Sequence, residues 1–283
     1  MNILTFFSPH ETKMQFQSFF SHIWQSDPRY YQITMLSLLL IYGLGWLDFG
    51  VELLHIVLII STALLTQWVC TRFFKLPYFD YRSPLISSLS LCLLLRTNTL
   101  LLMSLTAAIT ILSKFIFRWK NKHIFNPTTF GLVTMMLLTG QVWISPGQWG
   151  SIAFFGFLVA CLGGLVINRA ARSDVTYAFL FFYTAMLFGR AWWLGDPFTI
   201  PLHQLENGAL LLFSFFMISY PKTTPDSRAG RILFAFLVAA GAAWVHFWLY
   251  RTNGLFWALA FFCLLTPLID RLLPGKRYQA YFQ

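Results

Sequence analysis

The polar residues of this chain that could do chemistry stand in short clusters at the borders of apolar segments. The clusters are residues 80–83, 125–128, 206–208, 219–225 and 267–270. Their hydroxyl and amide groups can donate and accept hydrogen bonds, which suits a neutral, flat ligand held near helix ends. The same residue types are also common as helix caps and turns. A ligand site and a set of local caps are therefore both open interpretations.

Asn126 marks the most informative of these borders. Its side-chain oxygen can cap a helix, and Pro127 fits the first helical turn, where no backbone donor is needed. The basic run from Lys114 to Lys122 stands just before it. The pattern predicts a helix N-terminus at a membrane surface, where free N–H groups would favour a nearby anion. The simpler alternative is a well-capped membrane helix.

Residue type and spacing exclude several kinds of chemistry. The four cysteines lie inside apolar segments without a Cys-x-x-Cys pair, so we predict buried small side chains and no metal site. Glu52 and His55 stand three residues apart at the start of an apolar segment, where we expect a local hydrogen bond. Nucleophile motifs and phosphate-binding glycine loops are absent from the sequence. We therefore predict no catalytic residue, no metal ligand and no stand-alone enzyme.

The composition indicates an integral membrane protein. Hydrophobic residues make up 57% of the 283 residues and charged residues 11%, and the mean hydropathy is +0.63. Soluble domains carry about 25% charged residues. The net charge is +10, but the basic residues stand in short loops between apolar segments and not on a soluble surface with aromatic platforms. The predicted partner is thus the lipid bilayer, and nucleic acid is excluded.

Ten apolar segments position the polar clusters. They cover approximately residues 33–50, 51–73, 84–96, 98–117, 127–144, 150–168, 175–194, 205–220, 230–250 and 253–272. The third and eighth are shorter than the roughly 20 residues that cross the hydrocarbon. The predicted fold is an all-α integral membrane protein. A cytoplasmic or interfacial segment, 1–32, with an amphipathic helix over 10–25, precedes a ten-helix transmembrane domain over 33–283.

The basic residues indicate the orientation of the segments. With the N-terminus inside, seventeen of the twenty lysines and arginines fall on one side, and only Arg96, Arg190 and Arg251 fall on the other. Positive charge collects on the cytoplasmic side of membrane proteins. We therefore predict a multi-pass protein of the bacterial inner membrane with both termini cytoplasmic.

The two halves of the transmembrane domain, 33–144 and 150–272, correspond weakly. Each has five segments, and the third segment of each half is short. An odd number of spans gives the halves opposite orientations, which is the inverted-repeat arrangement of many transporters. In such folds, broken helices at matching positions line the binding site. The pattern is compatible with a pocket where the third and eighth segments meet and equally with two spans that are simply short.

Taken together, the clusters resemble a known family. The shared features, in chain order, are Asp80 with Ser83-Pro84-Leu85-Ile86, Ile124-Phe125-Asn126-Pro127, Gly163-Gly164-Leu165, residues 219–225, Gly230-Arg231, and Pro267-Leu268-Ile269-Asp270 followed by Arg277-Tyr278. From about residue 80 onward, the chain resembles the RnfD/NqrB family of membrane proteins. RnfD belongs to the Rnf electron-transport complex, and NqrB belongs to the sodium-translocating NADH:quinone oxidoreductase. The resemblance implies ten helices in two inverted halves, flavin sites, redox partner proteins and membrane electron transfer coupled to ion movement.

The chain also departs from that family. Members carry flavin mononucleotide (FMN) covalently on a threonine in a Ser-Gly-Ala-Thr loop after the fifth helix, whereas residues 143–150 contain no threonine. The family's Thr-Asp-Pro is replaced by Ser219-Tyr220-Pro221, and the alanine after Asn-Pro is replaced by Thr128. In these respects the chain is similar to divergent, shorter paralogues found beside enediyne-type biosynthetic genes. Covalent FMN is therefore not expected.

Two main hypotheses follow. In the first, the chain is a membrane subunit of an electron-transport module and binds FMN or riboflavin non-covalently. In the second, it transports riboflavin or another small flat solute through the same inverted halves; a structural anchor for a partner complex is the third possibility. The candidate cofactor-binding residues are Asp80, Ser83, Asn126, Thr128, Asn207, Tyr220, Thr223 and Thr224.

Overall fold

The structure, a computed structural model, is mostly helical. It describes residues 27–46, 50–120, 122–145, 156–158, 161 and 173–276. The predicted amphipathic helix over 10–25 and nearly all of the sixth apolar segment lie outside these residues.

Eleven helices and four short strands are defined within the described residues. The first half contains α1 (Pro28–Trp46), α2 (Leu53–Phe73), α3 (Arg82–Leu94), β1 (Leu95–Thr97), α4 (Leu100–Ile116), β2 (Arg118–Trp119), β3 (Lys122–His123), α5 (Pro127–Thr139) and β4 (Val142–Ile144). The second half contains α6 (Ser173–Leu194), α7 (Thr199–Leu205), α8 (Gly208–Leu212) continued by a π-helical turn (Phe213–Met217), α9 (Arg228–Phe247), α10 (Gly254–Cys263) and α11 (Thr266–Leu272).

Two of the described helices, α2 and α9, are long and apolar enough to cross a membrane by themselves. A third span is formed if α10 and α11, which bend by 54° at their junction, count as one. Large apolar side chains on the outer faces are exposed, among them Leu65 at 62% and Phe181 at 68%. A soluble protein rarely exposes so much contiguous apolar surface, and lipid is the solvent that suits it. The structure is thus that of a membrane protein, while the ten spans and their inverted repeat remain predictions.

The third and eighth segments are short, as the sequence predicts. Helix α3 has 13 residues, and α8 with its π-helical turn covers Gly208–Met217. Asn207 begins α8 because its side-chain oxygen accepts a hydrogen bond from the backbone N–H of Ala209 at 2.8 Å. The break at Glu206 and Asn207 separates α8 from α7, so the eighth segment does not run unbroken from residue 205.

Two helix boundaries differ from those expected. Helix α1 begins at Pro28, five residues before the expected start at residue 33, since proline fits the first turn of a helix. The tenth segment, expected to be continuous over 253–272, is interrupted at Leu264 and Leu265. Pro267 lies in the first turn of α11, where it cannot donate the backbone hydrogen bond that would continue α10.

The helices pack in two groups that contact each other through α5 and α10. Helices α1 to α5 pack mainly among themselves, and α9 packs against α6 and α10. The closest approach is at Gly131 of α5, where an added Cβ would lie 1.9 Å from the Thr110 hydroxyl oxygen of α4. Glycine at this crossing lets two backbones approach closely, as in many membrane helix pairs.

The predicted contact between Glu52 and His55 and the predicted burial of the four cysteines are both present. Glu52 caps α2 through a reciprocal pair with His55, in which the backbone N–H of Glu52 donates to the His55 imidazole. The four cysteines are all buried and free of disulfides. Within the described residues, no group of three or more potential metal-ligating side chains is found.

Candidate functional site

One end of the helix bundle gathers charged groups from distant parts of the sequence. We call it the basic end, and it comprises residues 27–29, 80–83, 114–120, 122–128, 219–227 and 270. A closed ring of two aspartates and two arginines holds part of it together. Asp27 and Asp80 each accept hydrogen bonds from both Arg29 and Arg82, at 2.7 to 3.1 Å. The ring ties the starts of α1 and α3 together and occupies both carboxylate oxygens of Asp80.

The charge of Asp27 is maintained by this ring. Burial alone would raise the pKa of the Asp27 carboxyl, but hydrogen bonds from Arg29 and the positive charges of Arg29 and Arg82 hold that pKa below its usual value. The aspartate is therefore an ionised structural anchor.

Lys114 reaches the start of α3 from the end of α4. Its side chain is buried, with 3% of the residue exposed, and its Nζ donates to both the backbone oxygen and the hydroxyl oxygen of Ser83 at 3.1 Å. Ser83, one of the predicted cofactor residues, thus binds an ammonium group of the protein itself. In the described part of the chain, no carboxylate oxygen lies within 4.0 Å of this ammonium group.

The two-residue strands β2 and β3 form a hairpin that places Arg118 opposite His123. The imidazole of His123 stacks on the ring of Tyr220, with 6.2 Å between ring centroids and 10° between planes. His123 is buried, and its Nδ1 has no hydrogen-bond partner among the described residues. Burial and the positive charges of Lys222, Arg118 and Lys114 lower the pKa of His123 to about 3.

Asn126 connects the start of α5 to the end of the eighth segment. Its Oδ1 accepts from the backbone N–H of Thr129 at 3.1 Å, which confirms the predicted helix cap. Its Nδ2 donates to the carbonyl oxygen of Met217, the last residue of the π-helical turn, at 3.2 Å. The Thr129 hydroxyl also contacts the Met217 sulfur at 3.8 Å. The start of α5 is therefore fastened to the end of the eighth segment.

An ionic bridge connects the first half of the chain to the second half. Lys122 donates to Asp270 of α11 at 2.7 Å and lies 3.1 Å from a carboxylate oxygen of Asp226. The backbone N–H of Asp226 donates to the other Asp270 oxygen at 2.7 Å. One cation and two carboxylates thus hold α11 against the β2–β3 hairpin.

Seven of the eight predicted cofactor residues lie at the basic end. They are Asp80, Ser83, Asn126, Thr128, Tyr220, Thr223 and Thr224. Asn207 begins α8, and the helical rise over ten residues places it roughly 15 Å from Met217, away from the other seven. The side chains of Asp80, Asn126 and Asn207 are engaged in ion pairs or caps, so their ligand role stays a prediction. Residues 143–150, which correspond to the family's covalent-FMN loop, lie outside the described residues from residue 146 onward.

Sequence reasoning missed the basic residues of the site. In the sequence, Lys114, Arg118 and Lys222 count as loop charges that set membrane orientation, and His123 has no predicted role. In the structure the three cations lie near enough to His123 for their charges to act on it, and His123 stacks on Tyr220. A signal for Lys114 exists in the spacing of Thr106, Thr110, Ser113 and Lys114, which puts a polar stripe on one face of α4; all four residues are buried. A buried polar stripe that ends in a lysine indicates that the lysine faces protein rather than solvent.

Comparison with known proteins gives the family. Residues 137–279 match the NQR2, RnfD, RnfE family, which is half of the chain. The chain belongs to this family. The match confirms the resemblance seen in the sequence motifs, and it includes the eighth segment, α9, and the bent pair α10–α11.

Curated relatives have the same name in several bacteria, where each is the D component of an ion-translocating oxidoreductase complex. The chain is 32% identical over 156 residues to the relative from Alcanivorax borkumensis, which covers 52% of this chain and 42% of that protein. It is 29% identical over 149 residues to the relative from Pectobacterium atrosepticum, covering 50% of this chain and 38% of that protein. A shorter match to the relative from Stutzerimonas stutzeri is 34% identical over 77 residues, 27% of this chain and 22% of that protein. The chain therefore spans less than half the length of the relatives it matches.

Proposed function

We propose that this protein is a membrane subunit of an ion-coupled electron-transfer complex and that it binds a flavin non-covalently. Family membership over residues 137–279 is the observation that carries the proposal, together with the names of the curated relatives. Protein partners that donate and accept electrons follow from the same names, because the relatives are components of a complex.

The arrangement of the basic end supports a flavin there. The end of the eighth segment approaches the start of the third, because Lys222 lies close enough to Asp80 for their charges to interact. Tyr220 and His123, also at the basic end, present stacked aromatic rings against which a planar ring system can pack. Flavin supplies one- and two-electron chemistry, and the protein supplies binding, orientation and a low-dielectric environment.

In this proposal, polar groups that already make contacts within the protein define the frame of the site. Asn126 holds the eighth segment through Met217, and Lys114 holds the third segment through Ser83. We expect the aromatic rings of Tyr220 and His123 to contact the planar ligand.

A visible spectrum of the purified protein tests the proposal. We expect protein purified in detergent to carry a yellow flavin that is bleached by dithionite. Tyr220→Leu should lose most of the bound flavin, because the stacking partner is removed. Tyr250→Leu is the matched control, since Tyr250 is 84% exposed at the opposite end of the bundle and should leave the flavin content unchanged.

The same preparation distinguishes the flavin-cofactor proposal from the transport hypothesis. Colourless protein that takes up riboflavin into reconstituted vesicles would contradict flavin as a resident cofactor and support a carrier. Colourless protein without uptake would contradict both and favour an anchoring role in a complex.

A further inference from the structure

Four basic side chains meet at the basic end without an acidic partner of their own among the described residues. Lys114, Arg118, Lys222 and His123 come from α4, β2, the loop after the eighth segment, and β3. We call them the basic cluster. Lys222, Arg118 and Lys114 all lie near enough to His123 for their charges to act on its imidazole.

In the part of the chain that the structure describes, the basic cluster lacks the carboxylates that neutralise other cations of this protein. There, no carboxylate oxygen lies within 4.0 Å of Lys114, Arg118 or Lys222. Asp80 interacts with the cluster at longer range, but both of its oxygens are already held by Arg29 and Arg82.

Lys122, only one residue from His123, shows the contrast. It contacts two carboxylates, Asp226 and Asp270, at 3.1 and 2.7 Å. The buried Lys114 ammonium instead donates to the two neutral oxygens of Ser83. A buried cation without a counter-ion is costly, so the shortage of negative charge within the described residues is an unusual feature of the cluster.

The charge environment of Lys222, in the loop after the eighth segment, agrees with a missing anion. Although part of Lys222 reaches solvent, the protein around its ammonium desolvates it, and this together with the positive charges of Arg29 and Arg118 lowers its pKa. The protein therefore concentrates like charges at a point where each disfavours the others.

His123 provides an independent sign of a ligand. Its Nδ1 is buried, and it has no hydrogen-bond partner among the described residues. Buried polar atoms in proteins nearly always have a partner, and an exception calls for an unseen one.

We propose that the basic cluster binds a phosphate group. Cations approaching from α4, the hairpin and the loop can each donate to a different oxygen of a tetrahedral anion, and charge-assisted hydrogen bonds of this kind are strong. The phosphate can belong to a phosphate ester such as FMN or to the headgroup of an anionic phospholipid, because the cluster lies at an end of the bundle. The inference does not depend on the flavin proposal.

Binding measurements with ligand pairs that differ only in the phosphate test the proposal. The pairs are FMN against riboflavin and short-chain phosphatidic acid against the matching diacylglycerol, with inorganic phosphate alone as a third probe, titrated into detergent-purified full-length protein. We expect at least one phosphorylated member to bind about tenfold or more tightly than its partner, with affinity falling as ionic strength rises.

Three variants locate the effect. Lys222→Gln, at the rim of the cluster, should remove most of the preference for the phosphorylated member. Lys75→Gln removes the same charge from an exposed residue at the end of α2, so it should leave the preference intact. Arg118→Gln gives a second test in the cluster, from the exposed hairpin.

Each outcome has a distinct meaning. A preference for FMN that Lys222→Gln abolishes supports a flavin phosphate, and a preference for phosphatidic acid alone supports a lipid headgroup even if riboflavin does not bind and the flavin proposal fails. Equal affinity within both pairs, or a preference that Lys222→Gln and Arg118→Gln leave unchanged, would overturn the phosphate site.

Discussion

The close crossing of α4 and α5 can be tested by giving Gly131 a side chain. In Gly131→Ala, the new Cβ would lie 1.9 Å from the hydroxyl oxygen of Thr110 and 3.0 Å from its Cβ. The carbonyl oxygen of Thr106 would be 3.1 Å away. The crossing positions both the Lys114 end of α4 and the Asn126 start of α5. A change in the distance between these two helices therefore affects the whole basic end.

The magnitude follows from two opposing terms. Overpacking a tight contact costs about 1–3 kcal/mol. Rotation of the Thr110 hydroxyl removes the worst contact but leaves its Cβ and the Thr106 backbone in place, so the cost should fall in the upper part of that range. Replacing glycine by alanine inside a helix stabilises that helix by about 1 kcal/mol. We expect Gly131→Ala to lower the free energy of unfolding by about 1–2 kcal/mol, given these terms.

Thermal unfolding in detergent, followed by a fluorescence or circular dichroism signal, measures this change. Gly189→Ala is the matched control, because no heavy atom of the described residues lies within 4 Å of its added Cβ; it should be neutral or stabilise by up to about 1 kcal/mol. The double variant Gly131→Ala with Thr110→Ala should recover part of the loss. Removing the Thr110 hydroxyl breaks no hydrogen bond to a described residue, since its oxygen is buried without a partner among them.

A Gly131→Ala protein that melts at the same temperature as the wild type would refute the close approach of α4 and α5. So would a double variant no more stable than Gly131→Ala alone, because the two side chains would then not share the same space.

Three further changes probe the basic end. Lys122→Ala should cost about 2–4 kcal/mol in a thermal melt, because it removes the ammonium group that contacts the largely buried carboxylates of both Asp226 and Asp270. Stability should fall as the pH drops from 6.5 towards 3, since burial and nearby cations hold the pKa of His123 at about 3 and the unfolded chain takes up the proton first; His123→Phe should flatten this part of a pH–melting curve. Asn126→Ala should cost about 2–3 kcal/mol in the same melting assay, from a lost helix cap and a lost buried hydrogen bond.

Controls at the opposite end or on the surface accompany these changes. Arg190→Ala breaks an exposed ion pair of 3.6 Å and a cation–π contact with Phe247, which together should cost about 1 kcal/mol. His203→Phe replaces a side chain that is 78% exposed and should leave the pH dependence unchanged. Asn207→Ala removes a cap alone and should cost about 1 kcal/mol. If Lys122→Ala were as mild as Arg190→Ala, if His123→Phe kept the full pH dependence, or if Asn126→Ala matched Asn207→Ala, the corresponding argument would be wrong.

Local rules determined much of this protein directly from its sequence. The cap at Asn126, the proline in the first turn of α5, and the Glu52–His55 pair depend on residues three or four apart, and each is present in the structure. Membrane class and the short third and eighth segments depend on runs of apolar residues, which also act locally. The family resemblance followed from residue order alone, and the family match over residues 137–279 confirms it.

Only the tertiary structure decided which charged residues share a site. The sequence places Lys114 and Lys122 in one basic run, yet Lys122 binds two carboxylates while Lys114 is buried against Ser83, with no carboxylate beside it in the described part of the chain. These partners lie tens to more than a hundred residues away, and the pairing depends on how helices pack and not on any local spacing. The break between α10 and α11 likewise became visible only in the fold. Electrostatic energy depends on distance in space, and sequence position does not set that distance until the helices have met.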